Sequence, residues 1–116
     1  MRRFSIIVVC LLLLAACKSK SDAFVPERLL TEQEMISIMA DIQIIEADIN
    51  FRKINHEDVG GMAQRYYAQL FEHYGITDSV FAQNMDYYTR NPATMERIMD
   101  SVTERLLKEQ ATCSTQ

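Results

Sequence analysis

Glu46 is the residue whose setting first asks for chemistry. It lies in the run "MISIMADIQIIEADI" and, at about 100° of helical rotation per residue, projects near the middle of an apolar stripe beside Met35 and Met39. A carboxylate among apolar neighbours must be paired or hydrogen-bonded. One desolvated enough to hold its proton near neutrality can serve as a general acid or base. Its partner in such a buried polar site would be His73 or a tyrosine hydroxyl. The alternative is a structural carboxylate bonded to a tyrosine hydroxyl or to an arginine such as Arg65 or Arg97. His56 and His73 stand 17 residues apart with Glu57, Asp58 and Glu72 nearby, but this spacing fits no ligand pattern, and H-E-x-x-H and C-x-x-C are both absent. No G-x-S-x-G, Walker sequence or G-x-G-x-x-G occurs. The expectation is a chain with no metal, no cofactor and no catalytic motif.

Cys17 calls for a different chemistry. Arg2 and Arg3 precede an apolar run from Phe4 to Ala16, interrupted only by Ser5, and the run ends in "LAAC" before the polar "KSKSD". As a helix it would span about 20 Å, short of the ~30 Å hydrocarbon core of a bilayer. It therefore suits the h-region of a signal peptide rather than a membrane span. Small residues before a cysteine resemble the lipobox of bacterial lipoproteins, in which the thiol is acylated and the chain then cleaved to free its amine. Cys10, preceded by Val8 and Val9, would leave a stunted h-region. Two or three acyl chains on Cys17 would anchor the protein stably. Lys18 follows, not the aspartate associated with inner-membrane retention, and no acidic export cluster is present, so the expected address is the outer membrane, facing the periplasm. The resulting organisation is a signal peptide at 1–16, the lipidated cysteine and a flexible tether at 17–26, a helical domain at 27–110 and a polar tail at 111–116.

Cleavage after residue 16 leaves 10 basic against 16 acidic residues, a net charge of −6. That balance argues against nucleic acid, whose phosphates require clustered Lys and Arg. Only Cys17 and Cys113 would survive cleavage. With the first acylated, no internal disulfide is available, and the Cys113 thiol in "ATCSTQ" reads as tolerated.

The elements that must position these residues are helical. Thr31-Glu32-Gln33-Glu34 matches a capping box. Behind it Met35, Ile38, Ile42, Ile45 and Ile49 recur at helical spacing, and a second stripe holds Ile36, Ala40, Ile44, Ala47, Phe51 and Ile54. A helix over about 32–54, apolar on two sides, is expected at the centre of the fold. Asp41 and Asp48 fall on its polar face and read as solvation, with Asp48 and Arg52 spaced for an i,i+4 ion pair. "NHEDVGG" breaks the chain at Gly60 and Gly61. A second helix over about 61–74 carries Met62, Tyr66, Leu70 and Tyr74, and Gly75 suits the positive-φ position after it. Thr77 and Asp78 open a third over about 78–89. Asn91-Pro92 opens a fourth over about 92–109. No stretch alternates with period two. The fold class is all-α, a bundle of about four helices.

Neighbours on a helix project about 100° apart, so one ring of each pair, Tyr66-Tyr67 and Tyr87-Tyr88, can pack inward while the other stays near the surface. Tyrosines at a surface make good interface anchors, and six methionines remain after cleavage, side chains suited to adaptable apolar grooves. Tyr67, Tyr87 and Met62 form the candidate interaction surface.

The segments "MISIMADIQIIEA", "YYAQLFEHYGIT" with Phe81 after it, and "DYYTRNP", in that order behind a lipobox, resemble an uncharacterised family of small Bacteroidota lipoproteins carrying a domain of unknown function. The resemblance runs from about Pro26 to Leu106 and brings no activity, ligand or catalytic residue with it. A weaker similarity links "GITDSVFAQNMDYY" to helical segments of periplasmic chaperones. The function expected is a non-enzymatic module that binds a protein or peptide of the envelope. The competing class is a small-ligand or enzymatic site around Glu46. An open apolar groove rimmed by tyrosine would favour the first, and a closed polar pocket holding Glu46 the second.

Overall fold

The structure, a computed structural model, describes residues 24–115. The apolar run, Cys17 and the tether up to residue 23 lie outside the described residues. Within them are four helices and no strand: α1 Glu32–Ile54, α2 Met62–His73, α3 Asp78–Thr89 and α4 Pro92–Ser114. The chain is a small all-α bundle. None of these helices is long and apolar enough to cross a membrane.

Side-chain chemistry at each boundary explains where the helices begin. The Thr31 hydroxyl accepts from the Glu34 amide at 3.1 Å while the Thr31 amide donates to Glu34 at 2.8 Å, so the capping box is complete. Thr77 accepts from Val80 N–H. Asn91 accepts from Thr94 N–H with Pro92 at the first helical position. The ends are equally specific. After α2, Gly75 takes φ +63°. Its amide bonds the Glu72 carbonyl while the Ile76 amide bonds Phe71 at 2.9 Å, the double closure of a Schellman turn.

α1 ends at Ile54, as the sequence reading has it, by a turn that reading did not foresee, and the end of α4 differs. α1 stops because His56, not a glycine, takes the left-handed conformation at φ +58°. The His56 and Glu57 amides then bond the carbonyls of Lys53 and Arg52, so the same turn is made with a side chain that dislikes it. Gly61 instead stands at the start of α2. At the other end α4 runs on to Ser114, carrying the polar segment from residue 111 as helix.

α1 lies at the centre, with α4 parallel to it and α2 antiparallel. Arg97 donates to Glu32 at 3.0 Å and Arg105 to Ser37 at 2.8 Å, so both helices rise in the same direction. Tyr66 meets Asp48 while Tyr74 meets Asp41, which fixes the opposite sense for α2. α3 packs against α4. Met35, Ile38, Ala40, Ile98 and Val102 close the core together with Leu30, a residue that precedes α1. Leu30 is held there by α3. Asn84, fully buried, accepts from the Leu30 amide and donates to the carbonyls of Arg28 and Val80, each at 2.8 Å. The Tyr88 hydroxyl donates to the Leu30 carbonyl. With Leu70 of α2, all four helices and the segment before α1 share one small core.

The second stripe of α1 is not buried along its length. Ala40 is fully buried, but Ile44 is 46 % exposed, Phe51 64 % and Ile54 75 %. α4 reaches α1 through Ser37 and Asp41, and beyond that level the stripe is left uncovered. Helical spacing gives the direction of a side chain, not the length of the neighbour that would cover it.

Candidate functional site

α2 is held onto α1 by tyrosine hydroxyls donating to carboxylates. Asp48 and Glu46 lie two residues apart, about 200° around the helix, so Tyr66 and Tyr67 grip α1 from opposite flanks. Tyr66 donates to Asp48 at 3.3 Å and Tyr67 to Glu46. Just past its end, α2 is followed by Tyr74, which donates to Asp41 while Arg105 of α4 approaches the same carboxylate at 3.9 Å. Burial, and after it the carboxylate partner, pushes the Tyr67 and Tyr74 hydroxyls up to about 12. Both stay protonated donors across the physiological range.

This arrangement revises three expectations. Glu46 is exposed rather than buried, because α2 crosses α1 on one side of it and no helix covers the other. It bonds a tyrosine hydroxyl, the structural alternative. His73 is exposed too and turns its ring edge-on to Tyr74 at 5.2 Å between centroids, so it and Glu46 do not share a buried polar site. Asp41 and Asp48 are half-buried hydrogen-bond acceptors rather than solvating charges, although the Asp48–Arg52 ion pair is present at 3.1 Å. Among the described residues no group of three or more His, Cys, Asp or Glu side chains is placed to hold a metal ion. The Cys113 thiol is exposed and unpaired.

The outer flank of α2 carries an open groove of about 860 Å³. Ala63 and Ala68 keep its floor low, and Tyr67, Phe71 and Ile76 supply its apolar wall. The aromatic wall continues into α3: the Tyr67 and Phe71 rings stack at 6.2 Å, and Phe71 meets Phe81 at 5.5 Å. Gln64 lies near the amino end of α2, while Glu72, Thr77 and Asp78 close the groove where α2 turns into α3. The Schellman turn fixes that corner by burying Ile76 and letting α3 start three residues after Gly75. Of the candidate interaction residues, Tyr67 lines the groove. Met62 and Tyr87 are half-buried elsewhere, Tyr87 edge-on to Tyr88.

Sequence reasoning missed the partners of Tyr67 in this surface. Phe71 and Ile76 were not singled out, and only Ala63 and Ala68 on one flank of an aromatic helix hint at a hollow. It also missed the exposed stripe of Ile44, Phe51 and Ile54, and the clamp residue Asn84. The signal for Asn84 is a polar side chain one helical turn from both Val80 and Tyr88.

With the geometry in place, comparison with known proteins identifies the family. The model of the family described as Domain of unknown function (DUF4296) matches residues 26–112, and the chain belongs to that family. No curated protein and no solved structure matches the chain.

Proposed function

We propose that this DUF4296 protein is a non-enzymatic interaction module, tethered to the outer membrane by lipid on Cys17 and binding a protein or peptide of the envelope from the periplasmic side. The observation that carries the reading is the open apolar groove along α2, with Tyr67 as an amphipathic wall. Its concave shape and its few convergent polar groups suit a ligand site. Large apolar side chains left in solvent on α1, Phe51 and Ile54 above all, add a second surface of the kind that marks contact sites. The competing site around Glu46 would need a closed polar pocket, whereas Glu46 stands exposed with Tyr67 as its partner. The anchor rests on the "LAAC" sequence and the polar stretch that separates it from the bundle.

Two measurements test the reading. Mass spectrometry of the processed protein should find an acylated Cys17 at the new amino terminus; an unmodified, freely diffusing product rejects the anchor. A photo-crosslinking amino acid placed at Ala68 in living cells should yield a discrete protein adduct that the same group at Lys108, on the exposed side of α4, does not. Equal patterns from the two positions, or none from either, reject the module.

A further inference from the structure

The groove is apolar along its length but charged at one end, and that charge has a single sign. Glu72 and Asp78 both line its closed corner, and among the described residues no Lys, Arg or His lines it. Among the described residues Glu72 makes no side-chain hydrogen bond or ion pair, and Asp78 uses one carboxylate oxygen to accept from the Ser79 amide. The guanidinium that comes nearest to this turn, Arg28, already donates to the Gly75 carbonyl at 2.7 Å and faces Glu34 at 3.9 Å. At the other wall the hydroxyl of Tyr67 is held by Glu46, a third carboxylate. An occupant therefore meets apolar surface first and uncompensated negative charge beside it. The groove follows α2 from Ala63 to Glu72, about 14 Å of helix, a length that suits two turns of a docked helix. Alanines at 63 and 68 allow close approach.

Resting on the interaction reading above, we infer that this groove takes a cationic amphipathic helix of its partner. Apolar anchors at i, i+3 or i+4, and i+7 lie against Tyr67 and Phe71, and a Lys or Arg beyond the last anchor faces Glu72 and Asp78. Helix-in-groove recognition works through anchors at that spacing, and charge at the rim selects among partners with similar apolar faces.

The test uses the full chain purified in a nonionic detergent and two fluorescent peptides. Both carry leucines at i, i+3, i+4 and i+7; one ends in lysines and the other in glutamates. By fluorescence anisotropy the lysine peptide should bind roughly tenfold more tightly, the sum of two exposed ion pairs of modest strength, and the preference should shrink as salt is raised. Glu72→Gln with Asp78→Asn should reduce the preference to about twofold or less by removing both pairs. Because the whole chain is acidic, Glu96→Gln with Asp100→Asn on the exposed side of α4 serves as control and should leave the preference intact. Ala68→Arg, at an exposed helical position, should block both peptides. Equal binding of the two peptides overturns the cationic assignment while leaving a groove that binds apolar helices. Loss of preference in the α4 control, or unchanged binding in Ala68→Arg, overturns the site. Failure of both peptides to bind, together with no crosslink from position 68, overturns the inference and the interaction reading alike.

Discussion

Replacing Asn84 with alanine should loosen the molecule more than any other exchange of one polar side chain. The Asn84 side chain is fully buried and makes three hydrogen bonds of 2.8 Å, two of them to the segment before α1. Alanine would leave the Leu30 amide and the Arg28 carbonyl without partners, at about 1–3 kcal/mol for each group that stays buried. The segment can escape that cost by peeling away, but it then exposes Leu30, now 1 % exposed, at about 1.5–3 kcal/mol. Either route costs about 2–4 kcal/mol. A domain of this size has a total stability of about 5–13 kcal/mol, so the midpoint should fall by about 10–30 °C. Urea denaturation followed by circular dichroism measures the loss, and hydrogen exchange at the Leu30 amide locates it. A loss below about 0.5 kcal/mol with unchanged exchange at Leu30 would refute the view that Asn84 holds this segment down.

Other outcomes follow from the same geometry. Tyr67 and Tyr74 should titrate near 12 by tyrosinate absorbance. Since folding raises both values above the usual 10 of tyrosine, their contribution to stability is complete below about pH 10 and fades as pH climbs toward 12. Tyr67→Phe and Tyr74→Phe should each remove one late-titrating ring, and a titration with no late ring would contradict the burial. Glu46→Gln should change stability by no more than about 1 kcal/mol and leave cellular function intact; abolished function in a folded Glu46→Gln protein would revive a catalytic role. His56→Gly should stabilise by about 0.5–1 kcal/mol by relieving the left-handed turn, a gain that a thermal melt would register. Phe51→Ser should alter stability by less than about 0.5 kcal/mol, whereas a loss of several kcal/mol would mean that the ring is packed.

Much of the fold was legible because helix starts are written in short-range chemistry. Thr31 with Glu34, Thr77, and Asn91-Pro92 each satisfy backbone amides within three residues, so sequence alone locates them. Gly75 was legible for the same reason. The end of α1 near residue 54 was legible as well, but not the residue that turns the chain, since only closure of the turn through Arg52 and Lys53 places His56 at positive φ. Burial was legible where one stripe faces two neighbours, as at Met35 and Ile38. It failed at Ile44, Phe51 and Ile54, because their exposure depends on which flank of α1 the other helices cover. Glu46 failed for a related reason, since only the path of α2 decides whether that flank of α1 is covered. Asn84 was hidden because its partners lie 54 and 56 residues away in sequence, beyond any local pattern. For the groove, Tyr67 was legible as an amphipathic ring, but the hollow beside it comes from the fold's leaving one flank of α2 bare.

The way the first described residues are fastened has a mechanical corollary. Arg28 is bonded to Gly75, and Leu30 to Asn84 and Tyr88, so tension drawn through the chain from its amino-terminal side is resisted at the α2–α3 corner and along α3 before α1 can unwind. These bonds act as a strain relief, as a clip does on a cable. The corner that Arg28 grips carries Ile76 and Asp78 of the groove, so a tug strong enough to open the clip would reach that wall.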